Sequence, residues 1–353
     1  MSSSRNNSIA AHIIPETGPS LQTPTWQQVL AQSFTNLSSL LEYLQIDAPI
    51  LTGSIQASRQ FTLRVPREFA ALMHKGDLND PLLRQVLPTH NELLTAAGFI
   101  SDPVGDRQAE LSPGLLHKYH GRVLLITTGA CAVHCRYCFR RHYPYAGSTA
   151  TASQWQGILD YLHANPSIEE VILSGGDPLM ISDKKLGEWL QQLQQLPQLK
   201  RLRLHTRLPV VLPQRITREL TGLFQTCRLN TVMVIHANHP TELSPSVAEA
   251  LHKVAAAGVN LLNQSVLLKG VNDQCDTLVA LSERLFEIGV MPYYLHLLDR
   301  VAGAAHFDLK ESAIQNLQQQ LVAKLPGYLM PRMVREIADE PSKTPFQLKF
   351  RSP

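Results

Sequence analysis

The chain has 353 residues, of which 44% are hydrophobic and 17% are charged, and its net charge at neutral pH is +3. This composition is typical of a packed globular protein and unlike that of a disordered or fibrous chain. The small net charge and the lack of any run of 18 apolar residues predict no nucleic-acid partner and no membrane partner. Five cysteines make a poor disulfide framework, which favours the reducing cytoplasm.

The first part of the chain is predicted to be helical and irregular. Residues 1–22 lack the apolar core of a secretory signal and are predicted to be a disordered leader. Residues 23–110 follow as a helical region, which opens with WQQVLAQSFTNLSSLLEYL and its apolar residues at helical spacing. We therefore place the main domain at residues 111–330 and a separate C-terminal segment at residues 331–353.

Six short apolar runs of strand length follow, with amphipathic helical segments between them. The runs are VLLIT (123–127), VILSGGD (171–177), RLRLHT (201–206), TVMVIHAN (231–238), NLLNQSVLL (260–268) and MPYYLHLLD (291–299). From the second run onward they begin about 30 residues apart, the length of one βα unit, which predicts a parallel sheet. Because six units are too few to close an eight-stranded barrel, the predicted α/β fold is a partial (β/α)6 barrel of the TIM type. A doubly wound sheet is the alternative.

Polar residues collect where these strands end, which is the edge at which parallel α/β sheets bind ligands. They are Thr127, Thr128, Gly175, Gly176, Asp177, Arg207, His236, Asn238, Gln264 and Asp299. A loop that contains Cys131, Cys135 and Cys138 follows the first strand at the same edge. The sequence therefore predicts one functional site at this end of the sheet.

The cysteine spacing C-x3-C-x2-C indicates a metal centre. A structural zinc site needs four closed ligands, and the remaining cysteines, Cys227 and Cys275, form no motif that would complete one. Three cysteine ligands alone suit a 4Fe-4S cluster whose fourth iron is open to an exogenous ligand. The spacing favours the cluster, and zinc stays the alternative.

The spacing C-x3-C-x-aromatic-C, with Tyr137 as the aromatic, and the later Gly175-Gly176-Asp177 motif together resemble the radical S-adenosylmethionine (SAM) superfamily. From about residue 60 to the end, the chain is similar to the lysine 2,3-aminomutase family. The segments that carry this similarity are CRYCFRRHYPYAG, LSGGDPLM, RLPVVLPQRIT, NQSVLLKGVND, PYYLHLLD and PSKTP. The segments most similar to the branch that makes (R)-β-lysine for elongation factor P are LRVPREF, DPLLRQVL, PGLLHKYH, FRRHYPYA and EPSKTP.

The resemblance implies an isomerase, an intramolecular aminotransferase, that converts L-α-lysine to (R)-β-lysine with a 4Fe-4S cluster, SAM and pyridoxal 5′-phosphate (PLP). The three clustered cysteines would hold the cluster, and the Gly175-Gly176-Asp177 motif would contact SAM. A flavodoxin or ferredoxin would donate electrons, and the elongation factor P ligase would use the product. The alternatives are a free-lysine or glutamate 2,3-aminomutase that makes a β-amino acid metabolite, and a non-catalytic iron–sulfur or zinc binding module.

The resemblance also assigns single residues to PLP and to the substrate. Lys343 matches the lysine that binds PLP covalently, although a Pro-Ser pair replaces the glycine-rich run before it in the free-lysine enzymes. Lys118 and Arg122 match the basic positions on the phosphate side of PLP. Gln264 is a further candidate for a cofactor contact, and His236 is a candidate for the SAM pocket. Arg140 matches the anchor of the substrate carboxylate, and Asp299 and Asp339 match the acids that bind the far ammonium.

Overall fold

A computed structural model describes residues 24–47, 53–150 and 152–347 of the chain. The leader predicted at residues 1–22 lies outside the described residues. The described residues contain a ten-stranded sheet in which strands that follow one another along the chain are neighbours. None of the helices in these ranges is long and apolar enough to cross a membrane.

Short α-helices precede the sheet. They are Trp26–Ala31 (α1), Leu37–Tyr43 (α2), Ser54–Gln60 (α3), Arg67–Ala70 (α4) and Pro81–Arg84 (α5). The Asn36 side chain caps α2 by accepting hydrogen bonds from the backbone amides of Ser38 and Ser39, so α2 begins separately from α1. Buried side chains of this region, such as Trp26 and Phe69, belong to the same hydrophobic cluster as those of the sheet. The helical region is therefore packed onto the sheet through a shared core.

Six parallel strands confirm the predicted βα repeat. They are Arg122–Ile126 (β3), Glu170–Ser174 (β4), Arg201–Thr206 (β5), Asn230–Ile235 (β6), Asn260–Leu267 (β7) and Met291–Leu297 (β8). Their order in the sheet follows the chain, whereas a doubly wound sheet reverses its strand order at a switch point. The fold is the partial barrel that the sequence predicts, and the doubly wound alternative is wrong.

Four further strands extend the sheet beyond the predicted six. They are Glu110–Ser112 (β1), Leu115–Tyr119 (β2), Arg332–Arg335 (β9) and Thr344–Pro345 (β10). The first two pair in an antiparallel manner ahead of β3, and β9 adds a seventh parallel strand beside β8. Because β10 pairs with β9, the C-terminal segment returns to the sheet, and Lys343 lies next to it.

Helices connect the parallel strands and end with one that leads into β9. They are Ala152–Ala164 (α6), Asp183–Leu193 (α7), Leu208–Val211 (α8), Arg218–Gln225 (α9), Pro245–Ala256 (α10), Cys275–Glu287 (α11) and Glu311–Lys324 (α12). Ser182 and Ser244 cap α7 and α10 by accepting a hydrogen bond from a first-turn amide. Three of these helices, α6, α7 and α10, overlap the amphipathic helical segments that the sequence predicts at residues 155–164, 186–196 and 246–258.

The two faces of the parallel strands differ in burial. In β5, Leu202 and Leu204 are buried in the hydrophobic core, whereas Arg203 and His205 point to the other face and line a cavity. The same alternation in β7 places Gln264 on the cavity face. Since side chains alternate along a strand, one face of the sheet packs the core and the other face forms the site.

Candidate active site

A cavity of about 710 Å³ lies on the inner face of the sheet. Its volume is within the range of about 300–1,000 Å³ that is usual for ligand sites. The predicted site residues that line it are Lys118, Arg122, Cys131, Cys135, Cys138, Arg140, Gly175, Gly176, Asp177, His236, Gln264, Asp299 and Lys343. The folded chain thus brings together residues that are up to 225 positions apart in the sequence, from Lys118 to Lys343.

Asp339 is the one predicted site residue that the structure does not place in the cavity. Its side chain is exposed, and its backbone adopts a left-handed conformation with a φ of 67°. Glu336 lies directly after β9 and lines the cavity instead. Because β9 ends at Arg335, the chain presents Glu336 at the edge of the cavity before it turns outward. The expectation that Asp339 lies in the site is therefore wrong, and Asp299 and Glu336 are the acids that line the cavity near Lys343.

The cysteine loop is held in place by the helical N-terminal region. The amides of His134 and Arg136 donate to the carbonyls of Arg64 (3.0 Å) and Gln85 (2.8 Å). The fully buried guanidinium of Arg136 also forms a bidentate ion pair with Glu92, in which Nε donates to Oε1 (2.8 Å) and Nη2 donates to Oε2 (2.5 Å). These contacts fix the loop before any ligand binds, which is the preorganisation that a metal centre requires.

The three thiols of this loop are free and line the same cavity. Burial raises the pKa of the Cys131 thiol well above its usual value, and burial with the nearby Cys135 raises the pKa of Cys138 to about 11. Three thiolates together therefore need added positive charge, which iron supplies. No three His, Cys, Asp or Glu side chains in the described ranges surround a single ion position. A 4Fe-4S cluster binds each cysteine through a different iron, so these thiols fit a cluster.

Gly175 and Gly176 form a turn that packs directly against the start of the cysteine loop. Gly175 has a φ of +120°, and a Cβ at this position would lie 2.7 Å from the carbonyl oxygen of Thr128. A Cβ at Gly176 would lie 2.4 Å from the carbonyl oxygen of Ala130. Only glycine allows this approach, so the two glycines bring the backbone after β4 to the wall of the cavity beside the cysteines.

The carboxylate of Asp177 is saturated by hydrogen bonds within the protein. It accepts from the hydroxyl of Thr206 (2.7 Å) and from the backbone amides of Leu179 (3.0 Å), Arg207 (2.8 Å) and Leu208 (3.1 Å). Burial raises its pKa to about 6, while these donors favour the ionised form. Asp177 therefore anchors the loop after β5, a role that sequence reasoning missed.

Five charged side chains form a continuous row of ion pairs along the cavity. Asp106 lies between two cations, 2.6 Å from Arg140 and 2.5 Å from Lys118. Glu336 likewise lies between two cations, 3.2 Å from Lys118 and 2.5 Å from Lys343, so Lys118 joins the two halves of the row. Burial opposes the ionisation of both acids, but their cationic neighbours hold the pKa of Asp106 below its usual range and that of Glu336 at about 2. The row carries three positive and two negative charges, so it favours anionic ligands.

Sequence reasoning missed Asp106 and Glu336. Both belong to segments without a cysteine, glycine or strand motif, and their partners are distant along the chain: Asp106 is 34 residues from Arg140, and Glu336 is 218 residues from Lys118. The one available signal was the position of Glu336, directly after the short run MVR. Recognising that run as a strand would have placed Glu336 at a carboxyl end.

Asp299 provides a second acidic group with unused hydrogen-bonding capacity. Its Oδ1 atom is buried and has no hydrogen-bond partner among the described residues. Burial and, to a lesser extent, the nearby Glu336 raise its pKa to about 7, and Lys343 opposes both effects. A buried carboxylate with a free oxygen is costly unless a cation binds there. This corner of the cavity therefore suits a positively charged group of a ligand.

Three histidines and a glutamine complete the inner wall. Gln264 Nε2 lies 2.7 Å from His236 Nε2, so these two cavity residues are hydrogen-bonded to each other. His205 and His296 line the same wall, and each has a buried Nε2 atom with no partner in the described residues. Burial lowers the pKa of all three histidines, that of His236 to about 3. The imidazoles are therefore neutral at pH 7 and can bond to a ligand without adding charge.

Comparison with known proteins agrees with this geometry. The model of the radical SAM superfamily matches residues 125–281, from β3 to α11. The chain is 48% identical over 343 residues to the L-lysine 2,3-aminomutase of Escherichia coli, and the match covers 97% of this chain and 99% of that protein. The protein of the same name from Haemophilus influenzae is 46% identical over 94% of this chain and 98% of its own length.

The chain belongs to the lysine 2,3-aminomutase family of radical SAM enzymes. It is therefore an isomerase, as the resemblance of its motifs predicts. The family also includes longer proteins: the L-lysine 2,3-aminomutase of Clostridium subterminale is 34% identical and is matched over 77% of its length. Family members use a 4Fe-4S cluster, SAM and PLP, and the cavity offers three thiols, a glycine turn beside them and a lysine among cations.

Proposed function

We propose that this protein converts L-α-lysine to (R)-β-lysine, which a ligase then attaches to elongation factor P. The observation that carries the substrate assignment is the buried, unpartnered carboxylate oxygen of Asp299, in a cavity that Arg140 also lines. An α-amino acid with a distant ammonium group matches such a cavity. The branch segments of the sequence support the destination of the product.

In this proposal, Cys131, Cys135 and Cys138 hold the cluster, and Lys343 binds PLP. When bound, the cluster and SAM supply a 5′-deoxyadenosyl radical, and PLP supplies the π-system through which nitrogen moves between adjacent carbons. The protein holds these groups in one cavity away from quenchers. A flavodoxin or ferredoxin would provide the electron.

Cations near Lys343 would bind the phosphate of PLP. Lys118 lies on β2 and shares Glu336 with Lys343, through contacts of 3.2 and 2.5 Å. Arg122 begins β3 and lines the same cavity, with its guanidinium 4.8 Å from the centre of the Tyr119 ring. Arginine and lysine are the usual partners of phosphate oxygens, and both cations lie on the sheet rather than on a loop.

In this proposal, Arg140 binds the carboxylate of the substrate. Its Nε donates to Asp106 (2.6 Å) and its Nη1 donates to Ser174 (3.0 Å). Its Nη2 has no hydrogen bond to any of the described residues. The guanidinium is thus held rigidly by two neighbours, and donors that are fixed in advance bind a carboxylate with little loss of side-chain entropy.

Asp299→Asn should lower kcat/KM for lysine by a factor of a few hundred or more. Removing one of two carboxylates from a buried ammonium costs about 3–5 kcal/mol. The spectra of the cluster and of PLP should not change.

The activity of the unmodified protein should also depend on pH. Since the pKa of Asp299 is raised to about 7, kcat/KM should fall as the pH decreases below 7, because kcat/KM reports the ionisation of the free enzyme. This decrease should be absent in the variant.

Asp339→Asn is the matched control for this experiment. It makes the same chemical change on an exposed side chain outside the cavity, and asparagine tolerates the left-handed backbone there. We expect kcat/KM close to that of the unmodified protein, whereas Glu336→Gln should be damaging. A severe loss in Asp339→Asn with little change in Glu336→Gln would restore the acidic pair first expected from the sequence.

The destination of the product is tested in the cell. Deleting the gene should leave elongation factor P without its β-lysyl group, as measured by mass spectrometry of the purified factor, and supplied (R)-β-lysine should restore the modification. A fully modified factor in the deletion strain, together with the loss of a free β-lysine pool, would instead favour the metabolic alternative. Turnover of glutamate in place of lysine by the purified enzyme would favour a glutamate aminomutase.

A further inference from the structure

Arg207 connects the loop after β5 to one of the three clustered cysteines. Its side chain is 5% exposed, and its Nη1 lies 2.7 Å from Cys135 Sγ and 2.6 Å from the Tyr137 hydroxyl. Its Nη2 donates to Gln85 Oε1 (2.6 Å) and to Glu242 Oε2 (3.0 Å). A buried guanidinium is therefore in direct contact with a sulfur that we propose as an iron ligand.

Glu242 is the only carboxylate paired with Arg207 in the described part of the chain, and it is itself fixed. Its Oε1 accepts hydrogen bonds from the amides of Asn238 (3.0 Å) and His239 (3.1 Å) and from Gln85 Nε2 (2.9 Å). The acid is fully buried. The pair therefore cannot separate without breaking several bonds, and both charges stay near Cys135.

The other two cysteines lack a side-chain hydrogen bond of this kind among the described residues. No side chain in the described residues donates a hydrogen bond to the sulfur of Cys131 or Cys138, whereas Cys135 accepts one from Arg207. The loop after β5 also has an anchor that is independent of this side chain, because the backbone amide of Arg207 donates to Asp177 at 2.8 Å. A change to the Arg207 side chain can thus leave that anchor intact.

We propose that Arg207 raises the reduction potential of the cluster bound to these cysteines and that Glu242 lowers it. This inference rests on the proposed cluster site. Reduction adds one electron from an external donor and makes the site more negative by one charge. A buried cation in contact with a ligating sulfur stabilises that charge, and hydrogen bonds to cluster sulfurs and net charge both set such potentials. A neighbouring carboxylate has the opposite effect.

The test is a redox titration of the anaerobically reconstituted protein, without SAM or lysine, followed by electron paramagnetic resonance. Arg207→Gln should shift the reduction equilibrium at least tenfold toward the oxidised form, a decrease of at least about 59 mV for one electron. Glu242→Gln should raise the potential, and Arg207→Lys, which keeps the charge, should retain most of the unmodified value. A purely structural role for this network would not produce shifts of opposite sign.

Arg215→Gln serves as the control for the loss of a buried arginine. Arg215 is fully buried and pairs with Asp183 at 2.6 Å, but it contacts none of the three cysteines. Its replacement should leave the potential unchanged. The proposal is overturned if Arg207→Gln keeps the cluster at an unchanged potential. If Arg207→Gln assembles no cluster, the test depends on Glu242→Gln. A reduction potential of Glu242→Gln that equals or lies below that of the unmodified protein then overturns the proposal.

Iron analysis and lysine turnover of the unmodified protein separate this inference from the proposed function. If the unmodified protein binds four irons and turns over lysine while the variants show no shift, only the role of Arg207 is wrong. If the unmodified protein binds no iron, the cluster site itself is wrong, and the role of Arg207 is wrong with it.

Discussion

Cys138→Ala should abolish both the brown chromophore of the anaerobically reconstituted protein and the formation of 5′-deoxyadenosine from SAM. The loop supplies three thiols, and the cavity contains no further cysteine in its lining. A cluster that keeps one iron open for SAM has no spare protein ligand to lose. The same result is expected for Cys131 and Cys135. Visible absorbance, iron and sulfide analysis, and chromatography of the nucleoside measure it.

The two remaining cysteines provide controls for this prediction. Cys275 begins α11 and is buried, and Cys227 lies just after α9; neither lines the cavity. Cys275→Ala and Cys227→Ala should keep the chromophore and deoxyadenosine formation. A chromophore that survives in Cys138→Ala would contradict the assignment, and so would an unmodified protein that contains one zinc and no iron.

Lys343→Ala should lose the PLP adduct that borohydride traps, while the cluster stays intact. Covalent attachment of PLP needs a lysine amine, and Lys343 reaches the cavity from the C-terminal segment, separately from the cysteine loop. Mass spectrometry of the borohydride-treated protein should place the adduct on the peptide that contains Lys343. Lysine turnover should fall to background, because the substrate then lacks its link to PLP.

Variants at Lys118 and Lys269 test whether PLP binds covalently to a lysine other than Lys343. Lys118 is the other lysine that lines the cavity, and Lys118→Arg should keep the adduct, since arginine retains a phosphate partner but cannot bind PLP covalently. Lys269 is exposed and outside the cavity lining, so Lys269→Ala should change nothing. An adduct that persists in Lys343→Ala and disappears in Lys118→Arg would move PLP to Lys118.

The parallel part of the fold could be predicted from the sequence because its strands are apolar runs at a regular interval. The strands that were missed lack such runs: β9 has arginine at both ends, and β2 ends in three polar or aromatic residues, His117, Lys118 and Tyr119. These strands are stabilised by pairing with neighbours in the sheet, which no local pattern in the sequence reports.

The candidate site was predictable where its chemistry depends on local spacing. The cysteine loop and the glycine turn are short motifs, and the structure brings them into contact through the amide of Gly176 and the carbonyl of Thr128 (2.7 Å). Asp106 and Glu336 were not predictable, because their importance comes from ion pairs with residues far along the chain. Asp339 was expected in the site from the family resemblance, whereas the end of β9 determines that Glu336 reaches the cavity.

The measurement that tests the central claim most directly is an assay of the reconstituted enzyme. The protein is loaded with iron, sulfide and PLP without oxygen and then incubated with L-lysine, SAM and a strong reductant, and the products are separated by chiral chromatography. We expect (R)-β-lysine that forms only when the cluster, SAM and PLP are all present. A protein that binds all three and cleaves SAM but forms no β-lysine would contradict the proposed function.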